Sequence, residues 1–498
     1  MKKVQISLIL VAIALLVVSC YKDKGNYDIL PVHEVEIGGP SYNPNNYSLQ
    51  QQDTLKIDPV YSFVGDTTDL VFKWYLMRQN AKAGDSTIRL IGTERQLTYK
   101  IQNPIGAYTV QLSIEDPINS IVKSRIYGLN VRLKAAQGFL VLNTKPDQTQ
   151  DIDVILDNTK PDVYYDVFST NNTFQLKDAT NLTMIQSLAN NIYGLLYVFL
   201  ENGGYTLRPS FDLLQDGAYW FYDQPAKIAP TAIYQDVFGS NTYLINNGKI
   251  HSTSSPNAPL LYTYQASGDY IAGKSLLMGA YAFLYDQKNH RFVRYNKAAG
   301  AVFPITRNKE DLFNVDSVGN KDCFLFDHTM QPSAAPSPAN FSQLKPIAYC
   351  KDRDTGRVYV YKFGFFRSLA IYAESVKEVT VASFANASAY VNSSTNPLTY
   401  YAYENKIYIY DFNNDVSREV YSFSESGISI DQMKTNGSQL MAAVNNKSTS
   451  MGEVYFFKIN AAGSIVDNNY FSKYGGFGKI VDVEYKYNIV NMMGGAWK

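Results

Sequence analysis

Tryptophan, histidine and cysteine are scarce in this 498-residue chain, which has three Trp, four His and three Cys. The histidines, His33, His251, His290 and His328, form neither an HxH nor an HxxxH pair, so a histidine-based metal site has no support in the sequence. No GxSxG nucleophile elbow occurs. "GGFGKI" at 475–480 has Gly and Lys but lacks the spacing and the following Ser/Thr of a phosphate loop. It reads as a turn and the start of a strand. Net charge is missing too: 45 Lys and Arg stand against 45 Asp and Glu. Such a balance gives no electrostatic reason to expect a nucleic-acid partner. After the first 20 residues, no apolar run approaches the ~20 residues of a spanning helix.

The N-terminus is different. Lys2 and Lys3 precede an almost wholly apolar run from Ile6 to Val18, which ends in Val17-Val18-Ser19-Cys20. The run is too short to span and fits the apolar region of a secretion signal. A small residue directly before a cysteine is the bacterial lipobox arrangement. Residues 1–19 are therefore expected to be a lipoprotein signal peptide, with Cys20 the acylated first residue of the mature chain. Several acyl chains hold a protein stably on a bilayer where one does not. Loss of Lys2 and Lys3 leaves a mature net charge of −2. Residues 20–32 are polar, contain Gly25 and Pro31, and read as a tether.

Tyrosine and phenylalanine are abundant, 40 and 26. Both favour strands, so the sequence reads as all-β. Residues 33–133 show short strands between turns. In "AYTVQLSIED", Tyr108, Val110, Leu112 and Ile114 alternate with small or polar residues, which buries one face. Trp74 in "FKWYL" sits mid-strand as a core anchor. These features predict an immunoglobulin-like sandwich over 33–133. Beyond it, at 134–498, a hairpin of apolar strand, polar turn and Tyr/Phe-rich strand recurs. Aligning Lys249, Arg291, Arg357, Lys406 and Glu453 gives steps of 42, 66, 49 and 47 residues. That period predicts a β-propeller-like domain of about seven blades; two stacked sandwiches are the alternative architecture. The long step contains "QPSAAPSPANFS" at 331–342, expected to be a loop on one face and the first place to look for binding.

Four segments carry a resemblance: "CYKDKGNYD" at 20–28, a domain ending in "GAYTVQLSIEDP", "AQGFLVLN" at 136–143 and "GGFGKIVDVEYK" at 475–486. Together they resemble the PKD-like family lipoproteins of Bacteroidetes, over essentially the whole chain. The resemblance implies an accessory subunit of SusC/SusD-type outer-membrane nutrient importers, anchored in the outer membrane and facing the cell exterior. It brings no catalytic motif and no site residues. Surface export is often linked to acidic residues after the lipid cysteine; here only Asp23 stands there, between Lys22 and Lys24, which leaves the leaflet open.

The remaining chemistry is sparse. "KDRDTGR" at 351–357 and "DFNNDVS" at 411–417 hold paired acids, but a calcium loop needs later carboxylates and a closing bidentate acid, so both read as hairpin turns. Cys323 and Cys350 lie in strand-like runs, as two separate buried thiols or as a bridge. No catalytic, metal or cofactor site is expected. The favoured function is a non-enzymatic capture or docking subunit with an oligopeptide ligand. The alternatives are a glycan-binding subunit, a structural spacer, and a propeller hydrolase or lyase. Trp220 in "YWFYD" is too isolated an indole to argue for sugar.

Overall fold

The computed structural model describes residues 34–486, apart from 39–45, 65, 80–87, 104, 134, 136, 157–161, 186–193, 236–241, 254–259, 279–280, 330–344, 366–370 and 394–395. The expected signal peptide and tether, Cys20, His33, the 331–342 insertion and Trp497 lie outside the described residues. The chain divides into two units between Arg132 and Leu133.

In the first unit, five strands lie in the spatial order Asn46–Gln50, Ile121–Arg132, Gly106–Asp116, Val71–Arg78, Arg89–Gly92. The first pair is parallel and the others antiparallel. Two short ladders complete the unit: Glu36–Ile37 with Tyr61–Ser62, and Thr54–Ile57 with Leu97–Lys100. Tyr108, Val110, Leu112 and Ile114 all turn inward, against Phe72, Trp74, Leu76, Tyr127, Leu55 and Leu97. The alternation legible in the sequence is thus the inner face of an immunoglobulin-like sandwich. Trp74 is fully buried, and its Nε1 donates to the Glu94 carbonyl at 2.9 Å, so the indole loses no hydrogen bond by burial.

The second unit contains seven four-stranded antiparallel sheets among its described residues. Blades 2 to 7 begin with inner strands Ala179–Ile185, Pro230–Gln235, Ala272–Met278, Lys321–Thr329, Ala389–Asn392 and Ile428–Asn436. In each, three further strands follow outward in chain order. Blade 1 is composite. Gly138–Thr144, Gln150–Leu156 and Val163–Tyr164 supply its outer strands, and Lys479–Lys486 its inner one. Most inner strands contact the inner strand of the next blade. This is a seven-bladed β-propeller closed by its last strand.

The closing strand is held by more than its ladder with Gly138–Thr144. The Gln432 side chain imitates a strand neighbour: its Oε1 accepts from Val483 N at 2.6 Å, and its Nε2 donates to Val483 O at 3.2 Å and also to Asp482 Oδ1 at 2.6 Å. Asn445 does the same for Ile480, accepting from N at 2.7 Å and donating to O at 2.9 Å. Asn143, fully buried, accepts from Gly478 N at 3.0 Å and donates to Asp153 Oδ2 at 2.9 Å. A Cβ on Gly478 would come within 2.1 Å of the Thr144 carbonyl oxygen, so only glycine fits there.

Most of the large fully buried side chains in this unit are tyrosines, and many sit on second strands. Several tie their blade to the next. Tyr349 of blade 5 shares a 2.7 Å hydrogen bond with Thr399 of blade 6. Tyr400 of blade 6 donates to the Gly463 carbonyl of blade 7 at 2.7 Å. Tyr285 of blade 4 donates to the Lys321 carbonyl of blade 5. The repeat seen in the sequence is the hairpin of second and third strands in blades 3 to 7.

Two substitutions test the closure by urea unfolding. Gly478→Val should lower the unfolding free energy by about 3 kcal/mol or more, because backbone must move. Asn143→Ala should cost about 2–4 kcal/mol by leaving the buried Asp153 carboxylate and the Gly478 N–H without this partner. Losses below about 1 kcal/mol in both would show that the closure does not limit stability.

A candidate binding groove between two blades

In blade 5 the inner strand begins where the second strand, Lys345–Asp352, ends, with Lys321 opposite Asp352 and Cys323 opposite Cys350. The antiparallel register therefore puts the turn 353–356 at the same end as the start of the inner strand. The short 3₁₀ turn Phe384–Asn386 leads into the inner strand of blade 6. Between these segments lies a groove of about 550 Å³ whose lining includes Asp322, Phe324, Lys351, Arg353, Ser388 and Tyr390.

Its charged groups are fixed in pairs. Arg353 grips Asp322 with two bonds, Nε to Oδ2 at 2.8 Å and Nη2 to Oδ1 at 2.6 Å. The guanidinium holds the Asp322 carboxyl below its ordinary range. Lys351 Nζ donates to the Ala385 carbonyl at 2.9 Å, joining blade 5 to blade 6. The Asp352 carboxylate accepts from Thr355 N at 2.9 Å, Thr355 Oγ1 at 3.0 Å and Asp354 N at 3.1 Å. The Thr355 N–H, the Thr355 hydroxyl and Lys321 bring its pKa down to about 2. Aromatic rings form the remaining surface. Phe324 and Tyr390 lie 4.8 Å apart between centroids, and the Tyr390 hydroxyl donates to the Phe384 carbonyl at 2.5 Å. Burial pushes the Tyr390 phenol up to about 12.

"KDRDTGR", read from the sequence as a hairpin turn, is one, and it forms one side of the groove. "DFNNDVS" is also a turn: Asp411 Oδ1 accepts from Asn413 N at 2.9 Å. "GGFGKI" ends the strand Ile465–Phe477 and starts the closing strand. Trp220 is fully buried, with Nε1 donating to Thr206 Oγ1 at 2.8 Å, so it offers no stacking face. The expected binding insertion is flanked by Thr329 and Lys345, which are register partners at the far end of blade 5 from the groove. The described histidines are dispersed over blades 3, 4 and 5: His251 Nδ1 donates to the Thr263 carbonyl at 2.9 Å, His290 lies in a turn, and His328 is on an inner strand. Phe324, Ser388 and Tyr390 were not singled out from the sequence. Nothing local marks them, because the groove exists only where two blades meet.

Asp151, Asp153 and Asp166 lie close together beside Lys145. Asp151 Oδ1 accepts from Phe168 N at 2.9 Å, and Asp153 Oδ1 accepts from Asp166 N at 2.7 Å. These bonds seat the short helix Val167–Asn171 on blade 1. Burial raises the pKa of both Asp151 and Asp153. Lys486 is a deeply buried charge carrier on the closing strand. Its Nζ donates to the Ala135 and Pro209 carbonyls at 2.6 and 2.5 Å and lies 4.3 Å from the Phe211 ring centroid. Burial brings its pKa down to about 7.

The architecture defines a class first: an immunoglobulin-like sandwich followed by a seven-bladed propeller. A sequence model of the PKD-like family matches residues 20–179, which takes in the sandwich and the first strands of the propeller. No curated protein matches the sequence. Among solved structures, a quinoprotein alcohol dehydrogenase-like protein from Bacteroides thetaiotaomicron matches with TM-score 0.51 and 11% identity, over 92% of this chain and 100% of that one. At that identity the likeness concerns the fold. A dihydro-heme d1 dehydrogenase matches with TM-score 0.38 and 10% identity, over 77% of this chain and 73% of that one. Virginiamycin B lyase from Staphylococcus aureus matches with TM-score 0.37 and 10% identity, over 62% and 93%.

Lys486 gives a pH signature. Its folded pKa of about 7 lies below the ordinary ~10.4 of an unfolded lysine. Between those values the unfolded chain binds the extra proton, so stability rises with pH through that window and levels off below it. From pH 7 to 9 the wild type should gain roughly 2 kcal/mol relative to Lys486→Met. Parallel urea-unfolding curves of the two proteins across this range would contradict the assignment.

Proposed function

We propose that this chain is a lipid-anchored protein of the outer cell surface that acts by binding, as a capture or docking subunit of a SusC/SusD-type nutrient importer. The observation that carries the reading is the blade 5–blade 6 groove, where fixed charges of both signs stand beside two aromatic rings. Asp322 and Asp352 are held ionised by their partners, so neither is tuned to exchange a proton near neutrality. Such a groove suits an oligopeptide. A peptide brings an ammonium, a carboxylate, backbone amides and apolar side chains, each with a complement here. The propeller supplies rigidity, since Lys351 and Tyr349 cross-link the two blades that form the groove.

The lipobox-like "VVSC" supports the anchor, and no helix among the described residues is long and apolar enough to cross a membrane. Cys20→Ala should release the protein from the membrane fraction; complete retention after a salt wash would remove acylation as the anchor.

Calorimetric titration of the soluble mature chain with defined oligopeptide and glycan pools tests the groove. Peptide binding is expected, and Arg353→Ala with Tyr390→Ala should weaken it about tenfold or more, which is about 1.4 kcal/mol. Binding confined to glycans would replace the peptide reading. Affinity unchanged in the double variant would place the site elsewhere. Turnover of either pool, abolished by one substitution, would make the protein an enzyme.

A further inference from the structure

On the face of blade 5 that packs against blade 4, opposite the face that carries the groove, Cys323 and Cys350 face each other. They are direct partners in the antiparallel pairing of the first two strands of blade 5. Direct partners project to the same face of a sheet, with Cβ atoms about 4.5–5.5 Å apart, close to the ~3.5–4.5 Å that a disulfide needs. Both side chains are buried in the same apolar cluster, together with Phe326 and Tyr361 of blade 5 and Tyr285 and Phe292 of blade 4. The register shifts immediately after Cys323, where Phe324 is the extra residue. A bulge there adds local twist and gives the strand room to close the remaining distance.

We propose that Cys323 and Cys350 form a cross-strand disulfide when the chain folds in an oxidising environment. Each thiol gives up one proton and one electron, and the two sulfurs bond. A disulfide oxidant takes up both electrons and both protons and is cleaved to two thiols. The Cys350 thiol is pushed well up by burial and by its neighbour Cys323, so the folded dithiol is a poor nucleophile. The exchange therefore runs on the folding chain, before the blade closes over it, and the finished bond is shielded from reductant. The bond would close a long loop, residues 324–349, and so restrict the unfolded chain. It would also brace the groove, because Asp322 and Lys351 are the immediate chain neighbours of the two cysteines. The inference is independent of what the groove binds.

The test uses the full chain carrying Cys20→Ala, which leaves only these two cysteines. It is unfolded and reduced, then refolded either with oxidised and reduced glutathione or with reductant alone. Thiols are counted by maleimide labelling after denaturation, and peptides are mapped without reduction. Oxidative refolding should leave no free thiol and yield one cross-linked peptide joining Cys323 to Cys350. The oxidised protein should melt several degrees above the reduced one. Two free thiols in natively folded protein after oxidative refolding, or glutathione adducts on each cysteine without a cross-link, would overturn the proposal. The double variant Cys323→Ala, Cys350→Ala should melt like the reduced protein in both buffers; if it does not fold, the oxidised and reduced wild-type cysteine pair carries the comparison.

Discussion

The pairing of Lys479–Lys486 with Gly138–Thr144 is the interaction on which the propeller depends. Each blade buries its faces against its two neighbours, so a ring with one missing contact exposes two sheets at once. The closing strand is joined to a partner more than 300 residues away, and the chain spends buried polar groups to secure it. Gln432, Asn445 and Asn143 each bond its backbone, or the residue before it, with a side-chain amide. An amide presents a donor and an acceptor on one plane, as a peptide does, so it continues a ladder where no strand is available. Phe139 then packs edge-on against Phe456 of blade 7 at 4.8 Å and Tyr485 of the closing strand at 4.7 Å.

The use of tyrosine follows from the same geometry. Facing blades leave a wedge of apolar space that widens away from the channel. A phenol fills such a wedge as phenylalanine would, and its hydroxyl reaches a carbonyl or hydroxyl on the neighbouring blade. Tyr349 and Tyr400 do this across successive blade interfaces. The high tyrosine content is therefore largely an interior feature, although Tyr219, Tyr222 and Tyr264 remain exposed.

What the sequence revealed tracks how local each feature is. The sandwich core was readable because alternation in "AYTVQLSIED" and the placement of Trp74 are properties of single strands. The blade repeat was readable in blades 3 to 7 because each hairpin of second and third strands is contiguous. Blade 1 escaped because its strands come from 138–164 and 479–486. Yet "AQGFLVLN" and "GGFGKIVDVEYK", which carried much of the family resemblance, prove to contain the two strands that close the ring. The groove was not readable. Its sides come from three stretches, near 322, 352 and 388, and no one stretch records the proximity of the others.

The closing strand also sets a clock. It supplies the innermost strand of the blade whose other strands come before those of blades 2 to 7 in the chain. Until residue 486 is available, blade 1 lacks its channel edge and blades 2 to 7 form an open arc. A chain built in this order delays its own completion.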